Sequence, residues 1–208
     1  MLAGGGTAWA FTRGPAGTDG NAAPVASTKR PSPVPTPILD CRESVQAGDA
    51  AVSKAYQSYK DWYVHVQAQI DLDKGRITVP KARKIWDETH ARGSSDMNAF
   101  DAQRIVYERQ EDACDMVPAD LPAKYTDAVD ACQLRANAIG KTMTAGLKVG
   151  NEWMDHVLKE RDKKVIDPYD YHKMWIKAVK KAPKALGEFR TAYTGYKKTP
   201  KCVIPKSE

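Results

Sequence analysis

Apolar residues in the first half of the chain fall at Val52, Tyr56, Tyr59, Tyr63, Val66 and Ile70. Steps of four and three alternate, which draws one continuous stripe along a helix. Met143, Leu147, Gly150, Met154 and Val157 draw a similar stripe farther on. This second long helix is expected to begin near Asp120, with Pro122 in its first turn. A polar loop follows each stripe, at 71–76 and 161–164. Ile77-Thr78-Val79-Pro80 and Ile166-Asp167-Pro168 then read as helix starts. Thr78 and Asp167 suit the N-cap, the prolines suit the first turn, and each Ile can staple its helix. These helices are expected over about 79–91 and 168–181, with Trp86 and Trp175 pointing inward. Ser94 or Ser95 and Pro183 predict two more, over about 95–114 and 183–197. The chain therefore reads as all-α, with almost no strand.

The first 40 residues lack either period. Gly, Ala, Pro, Ser and Thr dominate them, so residues 1–40 are expected to be a disordered leader. Its PSPVPTP run should be a stiff, extended spacer. The opening MLAGGGTAWAF is either the tail of an export or anchor segment or an ordinary flexible tail. No run approaches 18 apolar residues, so no membrane span is expected.

The rarest residues expose an internal repeat. Cys41 and Cys132, Trp62 and Trp153, and His65 and His156 are each 91 apart. Ile77 and Ile166, Trp86 and Trp175, and Phe100 and Phe189 are 89 apart, and Cys114 and Cys202 are 88 apart. Two small deletions account for the change of offset. The chain thus reads as a tandem duplication: copy one at 41–114, a linker and helix start at 115–131, copy two at 132–202, and a tail at 203–208. Each copy is expected to be a three-helix unit, and the two to pack as a helical bundle.

Four cysteines allow three pairings, and the repeat favours Cys41–Cys114 with Cys132–Cys202. Each bond would tie the start of a unit to its end, and units of about 70 residues are near the size where a core alone is marginal. Disulfides place the protein in an oxidising, extracytoplasmic compartment. Four free thiols in a cytosolic protein are the alternative.

The strings DWYVHV at 61–66 and EWMDHV at 152–157 are each followed by a loop, a Pro-started helix with a Trp, and a later Phe. This pattern resembles a loose class of actinobacterial secreted or membrane-anchored helical proteins with repeated W-x-x-H modules. The resemblance implies export and a wall-spanning or membrane-proximal role for the leader, and it implies no activity.

Of the four histidines, only His65 and His156 are repeat-equivalent. Either the two are ligands brought together between the copies to hold zinc, copper or haem iron, or each bonds a backbone carbonyl or carboxylate beside its Trp. His172 is a candidate private to copy two, with a solvated helix start as the alternative. Asp61 and Glu152, just before each Trp, are expected to meet water. The acidic loop at 71–75 lacks a closing Glu and is not a calcium site. No nucleophile elbow, Walker loop, dinucleotide fingerprint or HExxH occurs, so neither an enzyme nor a cofactor is expected.

Charge then separates the copies. Copy one carries 11 basic and 12 acidic residues; copy two carries 16 and 7. Lys163, Lys164, Lys173, Lys177, Lys180, Lys181 and Lys184 build a basic region beside Tyr and Trp. Such a region attracts anionic surfaces by its field. An anionic cell-surface polymer, phospholipid head groups or a protein partner are the candidates; a purely solubilising surface is the alternative. Lysine exceeds arginine and no helix-turn-helix signature occurs, so nucleic acid is not the expected partner. The leading expectation is a non-enzymatic extracytoplasmic interaction module. Its alternative is a metal- or haem-binding protein using His65 and His156.

Overall fold

The computed structural model describes residues 33–206. Four helices follow in order: α1 (Thr36–Asp73), α2 (Val79–Glu108), α3 (Ala123–Arg161) and α4 (Pro168–Lys198), with a short 3-10 turn at Glu111–Cys114 before α3. No strand occurs among the described residues. None of the helices among them is long and apolar enough to cross a membrane.

The helix starts lie where the capping residues put them. Thr78 is extended at the N-cap of α2, and the Asp167 side chain accepts the backbone N–H groups of Tyr169 and Asp170 at the start of α4. The leader boundary shifts. Residues 36–40 belong to α1, and Ile38 is fully buried with Tyr125 and Val129 in a small second core. Residues 1–32, most of the expected leader, lie outside the described residues.

The expected three-helix units are two-helix hairpins. The pairs of helices predicted at 79–91 with 95–114, and at 168–181 with 183–197, are each one continuous helix. Gly93 does not break α2 but lets it approach α3: a methyl there would sit 2.8 Å from Trp153 Cζ2 and 2.8 Å from Val157 Cγ2. Pro183 lies inside α4 on its exposed side, where water can serve the carbonyl that loses its donor.

A seam between α1 and α3 organises the bundle. Gly48 lies against Ile139, Ala55 against Gly146, and Trp62 stacks on Trp153 with ring centres 5.2 Å apart. These contacts advance by seven residues in the same direction on both helices, so α1 and α3 run parallel like a short coiled coil. The intervening positions Ala51, Thr142, Ser58, Val149, His65 and His156 are all buried. The core stripe of α1 is therefore rotated from the one its tyrosines suggest. Tyr56 and Tyr59 are half-buried and face α4, where Tyr56 stacks on Tyr193 at 4.4 Å and Tyr59 on Phe189 at 4.8 Å.

The cysteines pair as Cys41–Cys114 and Cys132–Cys202, across separations of 73 and 70 residues. In the chain-entropy picture each closure contributes roughly 4 kcal/mol. Asp61 and Glu152 do not simply meet water. Arg92 of α2 pairs with Asp61 at 2.7 Å and Lys181 of α4 with Glu152 at 3.1 Å, and these carboxylate side chains are only 11% and 16% exposed. Arg92 and Lys181 are themselves 89 positions apart, so one ion pair fastens each hairpin at the same place.

Candidate functional site

The parallel seam brings His65 of α1 and His156 of α3 to the same level, one turn beyond the stacked tryptophans. Their Nε2 atoms are 3.0 Å apart. Neither ring bonds a backbone carbonyl or a carboxylate, the arrangement expected of two isolated histidines. Trp153 stacks on His156, and Trp175 packs against both imidazoles, at 5.4 Å from His65 and 4.7 Å from His156. Trp86 donates its indole N–H to the His65 carbonyl, and Trp175 donates to Gln69 Oε1.

Burial in this aromatic surround disfavours the charged imidazoles. It pushes His65 down to about 2, with the nearby His156 adding to the effect, and His156 down to about 4 against the pull of Glu160. Both rings are neutral near pH 7, so each carries one N–H and one lone pair. Thr89 sets which nitrogen that is in His65. The Thr89 hydroxyl donates its one proton to the Ile85 carbonyl at 2.7 Å, so it accepts from His65 Nδ1 at 2.7 Å. His65 then carries its proton on Nδ1, and its Nε2 lone pair accepts from His156 Nε2–H.

All four histidines of the chain line one cavity of about 740 Å3 beside this pair. His90 and His172 reach it from α2 and α4, between Trp86, Trp175 and Tyr171. His90 Nε2 is buried there without a hydrogen-bond partner. Glu160 also lines the cavity. Burial works to raise its carboxyl, but hydrogen bonds from Lys163 and Tyr171 outweigh this and hold it below the usual range. Thr89 and His90 have no chemically similar counterparts in copy two, where Ala178 and Val179 stand. The repeat therefore gave no sign of them; the four-residue step from Trp86 to His90 on one helix face is the one signal that could have pointed to His90.

No third His, Cys, Asp or Glu joins the pair closely enough to complete a metal-binding group among the described residues. The pair supplies two ligands, one fewer than the three protein ligands of a catalytic zinc site.

Of the lysines in the basic region, Lys163 reaches the rim of the histidine cavity. Lys163 and Lys164 are exposed in the loop between α3 and α4, and Lys173, Lys177, Lys180, Lys181 and Lys184 are exposed along α4. Lys163 pairs with Glu160 and Lys181 with Glu152. Lys164, Lys177, Lys180 and Lys184 have no ion-pair partner among the described residues.

Comparison with protein families, with curated proteins and with solved structures finds no match to this chain.

Proposed function

We propose that this chain is a non-enzymatic extracytoplasmic binding module, built by tandem duplication, that holds a transition-metal ion between His65 and His156. The observation that carries the reading is the 3.0 Å approach of their Nε2 atoms. Metal–imidazole bonds of about 2.0–2.1 Å place two neighbouring nitrogens on one ion about 3 Å apart. The rings also meet at a bend: their centres are 4.8 Å apart, where an in-line pair would show roughly 5.3 Å, the hydrogen-bond length plus two ring radii.

Little must change for an ion to enter. His65 already presents a bare Nε2, held by Thr89 in the manner of an outer-shell partner. His156 need only move its proton to Nδ1. Imidazole donors with no thiolate would suit copper, zinc or nickel. Haem fits less well. Two axial histidines stand on opposite faces of the macrocycle, and here nothing separates the nitrogens.

Export is supported by the two disulfides. Duplication is supported by repeat-equivalent residues that meet in space: Trp62 with Trp153, His65 with His156, and the matched Asp61–Arg92 and Glu152–Lys181 pairs. Equilibrium dialysis against Cu(II) and Zn(II) tests the metal. One equivalent of Cu(II) is expected at a Kd of about 1 μM or tighter, lost in His65→Ala and in His156→Ala. Saturation unchanged by both substitutions, or none at all, would leave the pair as a buried hydrogen bond that fixes helix register.

A further inference from the structure

Val165 is the most exposed large apolar residue among the described ones, at 86%, and Tyr169 one turn on is exposed at 66%. Both sit where the chain turns from α3 into α4. Lys163 and Lys164 precede Val165, and the Lys173 ammonium lies over the Tyr169 ring at 4.1 Å. From Tyr169 the exposed positions continue as Lys173, Lys177, Lys180 and Lys184, in steps of four, four, three and four. That spacing is one face of a helix.

We infer that this corner, the 162–167 loop with the first turns of α4, docks on an anionic phospholipid surface. The proposal does not depend on the metal site. Lysine on a helix face supplies long-range attraction to acidic head groups, about fivefold in partitioning per residue near the surface. Val165 and Tyr169 supply what a field alone does not. An aliphatic tip gains by leaving water for the acyl boundary, and a tyrosine settles at head-group level with its ring in and its hydroxyl out. Lysine stems can lie along the same boundary with their charges in the head groups.

The apolar tip is the reason to choose a bilayer over a soluble polyanion. A phosphate-rich polymer is satisfied by the lysines and gains nothing from an exposed Val. The matching corner of copy one sharpens the contrast. Its loop carries Asp71 and Asp73 beside Lys74 and Arg76, and Arg76 turns back to bond Asp71. The loop of the second corner balances too, Asp162 and Asp167 against Lys163 and Lys164, so the difference lies in the helices that follow. Over 168–184 α4 sets Lys173, Lys177, Lys180, Lys181 and Lys184 against Asp170 alone, whereas over 79–95 α2 sets Lys81, Arg83, Lys84 and Arg92 against Asp87 and Glu88. Val165 is also more exposed than Val79, at 86% against 53%, so the second copy has the larger positive excess behind the more exposed apolar tip.

Co-sedimentation with vesicles tests this, using the intact disulfide-bonded chain at about 0.1 M salt. Wild type is expected to bind vesicles containing roughly one-third phosphatidylglycerol and to remain free of pure phosphatidylcholine. Lys164→Gln/Lys177→Gln/Lys180→Gln is expected to lose about 100-fold in partitioning. Val165→Ser/Tyr169→Ser should lose about tenfold while leaving binding to soluble polyphosphate unchanged. All these side chains are exposed, so circular dichroism should show an intact fold in each variant. The proposal falls if wild type ignores the anionic vesicles. It falls equally if the Val165/Tyr169 variant binds them as wild type does, since the surface would then be a general polyanion attractor.

Discussion

Trp62 stacks on Trp153 with ring centres 5.2 Å apart, although the two lie 91 positions apart in the chain. Both side chains are fully buried, and the next turn of each helix delivers the histidine pair. The stack is therefore both the largest piece of the core and the floor of the candidate site. Trp62→Ala and Trp153→Ala should each destabilise the fold by about 3–5 kcal/mol. Urea unfolding followed by circular dichroism measures this. A loss in either variant below about 1 kcal/mol would mean that the seam does not depend on the stack.

Two glycines on neighbouring helices should respond in opposite directions to the same substitution. At Gly93 a methyl would press on the rigid Trp153 ring and on Val157 at 2.8 Å, so Gly93→Ala is expected to cost about 1–3 kcal/mol. At Gly140 nothing lies within 4 Å of the added methyl, and Gly140→Ala should stabilise by up to about 1 kcal/mol through helix propensity. Thermal denaturation of the pair reports the sign directly. Equal shifts would remove the close-packing account of Gly93.

Rare residues carried most of what was legible in the sequence. Cys, Trp and His recur seldom, so their spacing gave the disulfide pairing; for His65 and His156 it singled out the residues but left open whether the two rings meet, as they do, or bond separate partners. Local signals misled where tertiary packing overruled them. Gly93-Ser94-Ser95 and Pro183 look like breaks, yet each helix continues because its neighbours hold both sides of the interruption. The tyrosine stripe of α1 looked like the core face because it is large and regular. The true seam is read at Gly48, Ala51, Ala55 and Ser58, which are too small to stand out in a hydrophobic pattern. Thr89 could not be found from the sequence, since its role depends on which ring it meets across α1 and α2.

Acid should unfold the metal-free protein through its histidines. An imidazole whose pKa is lowered by burial binds its proton more readily in the unfolded chain, so stability falls as pH drops below 6.5. For His156, lowered to about 4, the cost by pH 4 is roughly 3 kcal/mol, and His65, lowered to about 2, acts in the same direction and continues further down. Asp96 opposes them. Burial and the neighbouring Asp61 raise it to about 6, so its protonation favours the fold as pH falls from 6 towards 4. Asp96 is largely solvated and its contribution is the smaller one. Urea midpoints should therefore drop between pH 6.5 and 4, and the drop should shrink in His65→Gln/His156→Gln. A flat profile would place the imidazoles in a far wetter setting than the one described.

Thr89 offers a finer test of the metal reading, because it touches no ion. Its hydroxyl accepts from His65 Nδ1–H, so the proton-free nitrogen of that ring is Nε2. Thr89→Val retains the shape and removes the acceptor, leaving His65 to exchange tautomers and to hold its ring less firmly. Loss of an outer-shell partner of this kind costs about 10–100-fold in metal affinity. Thr89→Ser retains the hydroxyl and should restore most of it. If the pair serves only as a structural hydrogen bond, both variants will change stability and neither will change Cu(II) binding. If the ion is held as proposed, affinity will follow the hydroxyl: weak in Thr89→Val, near wild type in Thr89→Ser, with the stoichiometry of one ion unchanged in both.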